Sequence, residues 1–208
     1  MAAVDCTHIE FLEVADPALK DAWSVIEARD GASGVFERFD VISTAAIANA
    51  EAGSWARVAL VRGADGQPRS LLPLRISRQC GLVTAQGLAS PLAQSCDVAG
   101  AALSIADLDR IGKALRKDFG VDLVLLRKVR RDSGLWSALA SRGASQNAVS
   151  AAPYIDFTAY PQFADYEASF SRTSRRSRKQ RWRKLEERVG ALTFVVHPGA
   201  GAEASVAR

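Results

Sequence analysis

Ser95, Cys96 and Asp97 stand together inside a stretch of small residues, 87–103, that has no hydrophobic periodicity. A loop of that length in a compact domain is uncommon without a functional reason. A hydroxyl, a thiol and a carboxylate in a row offer a nucleophile, a hydrogen-bond donor and a base. The carboxylate acts as a base near neutral pH only where burial or a partner raises its proton affinity. The same residue in a loop equally serves to cap a turn. Cys96 has two readings as well, an attacking thiolate or a small apolar side chain filling a gap. Neither histidine has the context of a nucleophile–base arrangement: His8 falls in a strand and His197 precedes a proline. The cysteines Cys6, Cys80 and Cys96 form no C-x-x-C pair, so neither a disulfide framework nor a metal site is expected.

A second group of chemistry-bearing residues lies near the C-terminal end. Nine of the 27 basic residues fall between Arg172 and Arg188, against only Glu186 and Glu187. That stretch carries +7, so the rest of the chain sums to −3 within the overall +4. Like charges repel at i, i+4 on a helix, by some tenths of a kcal/mol per pair. Three readings stay open: a solvated helix, an anion-binding wall in which Arg175, Arg178 and Arg181 meet a substrate, or a nucleic-acid contact.

The scaffold that must position these groups is a globular one. With 208 residues, 48% apolar and 24% charged, the chain can bury a core, which excludes wholesale disorder and a disulfide-stapled miniprotein. No signal peptide is visible and no apolar run approaches the roughly 20 residues needed to cross a bilayer. A cytoplasmic protein without a membrane span is expected.

Periodicity and end signals predict the elements. Thr7–Val14 alternates as a strand, and Asp16-Pro17 opens a helix with Leu19, Trp23 and Ile26 inward, ended by Gly31. Asp40 caps a second helix to about Glu51. Trp55–Arg62, Leu71–Ser77 and Gly81–Gln86 form an antiparallel meander with a turn at Ala64–Gln67. Ser104-x-x-Asp107 is a capping box opening a helix through Ile105, Leu108, Ile111, Leu115 and Phe119, stopped by Gly120. Val121–Leu126 reads as a buried strand. Asp132-Ser133 opens a helix with Leu135, Trp136 and Leu139 inward, and extended stretches follow at 144–149 and 153–157. Pro161 starts a short helix, and a long basic one runs from about Thr173 to Val189. On it Trp182, Leu185 and Val189 form a stripe able to dock on a core. A strand over 191–196 comes last.

Strand, two helices, three antiparallel strands, helix, strand, helix and two strands over residues 1–160 is a succession that resembles the GNAT superfamily of acyltransferases. The wording of Gly34–Asp40, Ser70–Arg75, Ala152–Asp156 and Ser171–Gly190 is similar to the BioF-like, CelD/BcsL-type acetyltransferases linked to cellulose and exopolysaccharide biosynthesis. The resemblance implies an α/β fold, a GNAT-like mixed sheet flanked by helices over 1–160, a helical crossover with the basic helix over 161–190, and the first strand of an incomplete second GNAT half over 191–208. It implies transfer of an acyl group from acetyl-CoA or another acyl-CoA to an amine or hydroxyl, on a small-molecule or saccharide acceptor. Asp97 becomes the expected general base and Ser95 an acceptor contact. The loop before the Ser104 helix lacks the glycine-rich turn that holds the CoA pyrophosphate on backbone N–H groups. By resemblance to the tandem members of this group, the acyl donor is expected in the second half, with this portion inactive alone. The alternative is a non-catalytic binding module that uses residues 172–188 for nucleic acid or another anionic partner.

Overall fold

The longest strand, Pro68–Gln79, is apolar on both faces because both are covered. The computed structural model describes residues 8–30, 35–51, 53–90, 93, 95–145 and 157–191. The chain divides into two compact units, 1–147 and 148–208.

The first unit opens with β1 (His8–Leu12), α1 (Pro17–Asp30) and α2 (Phe39–Glu51). The meander follows as β2 (Trp55–Arg62), β3 (Pro68–Gln79) and β4 (Leu82–Gly87). Then come the two-residue β5 (Ala99–Gly100), α3 (Ile105–Phe119), β6 (Leu123–Leu125) and α4 (Trp136–Ser141). The sheet runs β1-β2-β3-β4-β6, antiparallel except for the parallel β4–β6 join across the α3 crossover. β5 pairs with β3 beside this path.

Alternate residues of each strand feed opposite layers. Val58 and Leu60 of β2, with Leu71 of β3, pack on Leu19, Trp23 and Ile26 of α1 and Ile42 of α2. Ala59 and Val61, with Leu72, Leu74 and Ile76, pack on Leu108, Ile111 and Leu115 of α3 and Leu135 before α4. The architecture is a mainly antiparallel mixed sheet with helices on both faces.

Three expectations change. Asp40 lies inside α2 rather than capping it: Ile42 N–H already bonds the Arg38 carbonyl at 3.0 Å, and the Phe39 N–H is met by the Glu27 carboxylate of α1 at 3.3 Å. β6 is three residues long, and its Leu123 and Val124 are exposed rather than buried; among the described residues its pairing partner is β4. The loop 87–103 is not structureless, since it returns to the sheet as β5. There the Gly100 backbone approaches so closely, at φ +92, that a Cβ would sit 2.5 Å from the Arg69 carbonyl oxygen. The strands expected at 144–149, 153–157 and 191–196 lie wholly or largely outside the described residues, as do Cys6 and His197.

In the second unit, α5 (Phe163–Ala168) is followed by α6 (Arg172–Val189), whose Ser171 Oγ accepts from the Ser174 N–H at 3.2 Å. Trp182, Leu185 and Val189 share a face of the helix and are exposed. No helix among the described residues is long and apolar enough to cross a membrane.

One buried charge pins α3 to the sheet. Asp107, 1% exposed, accepts from the Ser104 N–H at 2.9 Å and hydroxyl at 2.7 Å, and pairs with Arg69 of β3. Burial pushes its carboxyl up, but the Ser104 donors and Arg69 outweigh that and hold it below the usual range. Its stabilising effect is present above the unfolded carboxylate pKa and lost as pH falls through the depressed folded value. Asp107→Ala should cost about 3–5 kcal/mol in urea unfolding, because it strands a guanidinium with no acid beside it. Arg69→Met with Asp107→Leu should recover most of that loss.

Candidate active site

The candidate site lies where β3 changes partners. Leu71 is the last β3 residue paired with β5, opposite Ala99, and Leu74 is the first paired with β4, opposite Gly87. Pro73 falls between. In an antiparallel strand a residue's N and C=O point to the same edge. The Pro73 carbonyl takes the Leu88 N–H at 3.1 Å, so the edge facing the gap is the one where proline has no N–H to offer. The chain leaves the sheet after Leu88, arches outward and returns at Val98.

Described residues lining the concavity under this arch include Pro73, Gly87, Ser95, Cys96 and Asp97, with Glu37 from the turn before α2 and Arg127 and Lys128 from the segment after β6. Only about 20 Å³ is open to the centre of a water molecule, room for one or two waters. The return segment passes so close to β4 that a Cβ on Gly87 would stand 2.7 Å from Cys96 Sγ.

Each polar group is held from a different element. The short 3₁₀ turn Val35–Glu37 is fixed to α1 by Trp23, whose indole N–H donates to the Glu37 carbonyl at 3.1 Å. Trp23 also meets the Phe39 ring edge-on at 5.6 Å. This turns the Glu37 side chain, 6% exposed, into the cavity. Ser95 Oγ donates to its carboxylate at a long 3.4 Å, and its own backbone N–H also supports the anion. Asp97 Oδ1 accepts from the Val98 N–H at 2.8 Å and from the Leu135 N–H at 3.1 Å, tying the arch to the start of α4. Lys128, in the left-handed region at φ 59, clasps both ends of the bend: its Nζ donates to the Ala93 carbonyl at 2.8 Å and its carbonyl accepts from the Cys96 N–H at 3.3 Å.

These surroundings set the proton affinities. Burial, then the charge of Asp97, raises the Glu37 carboxyl above its ordinary value. Burial also raises Asp97, against the backbone donors that favour its ionised form. Asp97 is thus the better supported anion, and Glu37 is the member of the pair that keeps a proton longer. Burial and the two carboxylates push the Cys96 thiol up to about 12, leaving about one thiolate in 10⁵ at neutral pH. Cys96 fills space and is no nucleophile.

The structure brings Ser95 and Asp97 together in one cavity and adds Glu37 and Lys128, which sequence reasoning did not single out. Glu37 belongs to the Gly34–Asp40 stretch, where a lone acid between phenylalanines was the available signal. Asp97 lines the cavity and also accepts from backbone N–H groups of the turn, as a capping loop aspartate does. Arg175, Arg178 and Arg181 belong to the other unit, and every described lining residue belongs to the first. Among the described residues no group of three or more His, Cys, Asp or Glu is placed to hold a metal ion.

The start of α3 does not fit a CoA pyrophosphate. Ser104 Oγ already accepts from the Asp107 N–H at 3.1 Å, and the Asp107 carboxylate turns back onto the Ser104 N–H. A phosphate arriving there would meet a like charge where a vacant N–H cradle is required.

The raised Glu37 proton affinity has a sign that can be measured. A group that binds its proton more tightly in the folded state stabilises fully below the unfolded pKa, and this is lost as pH rises through the folded value. Glu37→Gln, which cannot ionise, should therefore melt above wild type near pH 8 and level with it near pH 4, the two temperatures read by calorimetry.

Compared with protein-family models, curated proteins and solved structures, the chain matches none of them.

Proposed function

We propose that the chain is an acyltransferase domain of the GNAT type, which holds an amine or hydroxyl acceptor, on a sugar or polysaccharide precursor, for acylation by an acyl-CoA. The observation that carries this reading is the order of elements: β1, two helices, the β2–β3–β4 meander, the α3 crossover and a strand parallel to β4. That is the succession on which the resemblance to these acyltransferases rests, and the Glu37–Asp97 cavity supplies the acid–base groups such a transfer needs.

In acyl transfer the acceptor's lone pair forms the new bond to the carbonyl carbon, the C–S bond of the thioester breaks, and the acceptor gives up one proton. No covalent enzyme intermediate is required, so an unreactive Cys96 is no obstacle. Asp97, the better supported carboxylate, takes the proton from an acceptor group placed in the mouth of the cavity. Glu37 and Ser95 fix the orientation of that group. The cavity admits the reacting tip of an acceptor and not a whole sugar or a CoA. With the α3 start closed by Asp107, this domain's part is acceptor positioning, and the acyl donor is held by residues outside it.

Isothermal titration of the chain with acetyl-CoA and, separately, with glucosamine divides the proposal into its parts. Glucosamine should give a saturable signal that weakens at least about tenfold in Asp97→Asn, the effect of losing a charged hydrogen-bond partner. Acetyl-CoA should give none. Micromolar acetyl-CoA binding by the chain alone would overturn the division of roles. Silence toward glucosamine and toward neutral hydroxyl acceptors alike would overturn acceptor binding.

A further inference from the structure

α6 carries positive charge that its own unit does not neutralise. Nine of its side chains are cationic, no residue of the helix is buried, and among the described residues of its own unit none of its cations makes an ion pair with an acid. Arg178 stands over the Phe170 ring, 3.6 Å from its centroid. Arg172 with Arg176, Arg175 with Lys179, Lys179 with Arg183 and Lys184 with Arg188 are like-charged neighbours at i, i+4, each pair costing some tenths of a kcal/mol. Such a helix gains stability from any polyanion that meets it.

The arrangement of the charges selects among polyanions. Arg178, Trp182, Leu185 and Val189, at i, i+4, i+7 and i+11, make one stripe along the helix. Arg172, Arg175, Lys179 and Arg183 form a row on one side of it, and Arg181, Lys184 and Arg188 a row on the other. A flat anionic surface faces one row at a time. A bilayer also asks for a broad apolar face to insert, and here three apolar side chains share their stripe with an arginine. A helix about 10–12 Å across fits a major groove about 12 Å wide, whose two walls are phosphate backbones. Two cationic rows flanking one stripe match two phosphate walls flanking a groove floor, where thymine methyls accept apolar contact.

We propose that α6 is a duplex-DNA-binding helix, held in the major groove by its two cationic rows on the two phosphate backbones, with no base sequence specified. The site uses no residue of the Glu37–Asp97 cavity, so it stands or falls independently of acyl transfer.

The test is fluorescence anisotropy of a labelled duplex of about 20 base pairs with the full chain, from about 50 to 300 mM salt. Seven row cations on phosphates predict a log–log salt slope of about −6. Replacing three of the four cations of one row, Arg175→Gln with Lys179→Gln and Arg183→Gln, should shallow the slope by about 3 and weaken binding at least about 30-fold near 100 mM. Replacing the other row, Arg181→Gln with Lys184→Gln and Arg188→Gln, should do the same. Glutamine keeps nearly the helix propensity of arginine and lysine, so circular dichroism should match wild type in both variants. No duplex binding at low salt overturns the proposal. So does dependence on one row only, which indicates a flat partner, or tighter binding to phosphatidylglycerol-containing vesicles or to single-stranded DNA than to the duplex.

Discussion

Everything that positions the candidate site follows from the divided edge of β3. The strand has a continuous partner in β2 on one side, but on the other it pairs first with β5 and then with β4. Pro73, at the break, presents no N–H to that edge, so the ladder lacks a donor there, and the Leu88 carbonyl opposite takes one from Asn49 Nδ2 at 2.9 Å. The chain closes the Pro73 carbonyl with the Leu88 N–H and arches away. The arch carries Ser95, Cys96 and Asp97; Lys128 clasps its bend at Ala93 and Cys96, and the Asp97 bonds to Val98 and Leu135 hold its returning foot. A rigid sheet edge and a tethered loop together make a cavity whose polar groups have little freedom to relax.

That rigidity gives the carboxylates their character. In water two acids near one another titrate almost normally, because solvent screens them. Under the arch, Glu37 is nearly buried and is supported by a long hydrogen bond from Ser95 and by its own backbone, so it is both desolvated and exposed to the field of Asp97. Asp97 is desolvated too, yet backbone donors support its anion. The two environments separate the roles of two similar groups, one keeping a proton and one giving it up first. The same surroundings silence Cys96. Asp107 shows the opposite balance on α3, where donors and an arginine overcome burial and the charge becomes structural.

The parts legible in the sequence were those set by local signals. The capping box at Ser104 and Asp107, the Gly120 stop, the β2–β3 turn and the start of α1 at Asp16-Pro17 are encoded within a few residues. The split edge of β3 could not be read that way, because β5 is two residues long and exists only through pairing with a distant strand. The burial expected for Val121–Leu126 is met at Val121 and not at Leu123 or Val124, because an apolar run does not reveal which of its residues are covered. In the cavity, Ser95 and Asp97 were visible as polar residues in a small-residue loop. Glu37 was hidden because its proximity arises from Trp23 holding a turn far away in sequence.

The central claim is that Glu37 and Asp97 form one interacting acid–base pair. Carboxyl-carbon NMR titration of both residues, in wild type and in Asp97→Asn, addresses it directly. Glu37 should titrate above an ordinary glutamate in wild type and move down toward the ordinary value when Asp97 loses its charge, because burial and that charge are what raise it. A Glu37 carboxyl that titrates normally, or that ignores the loss of Asp97, would contradict the account.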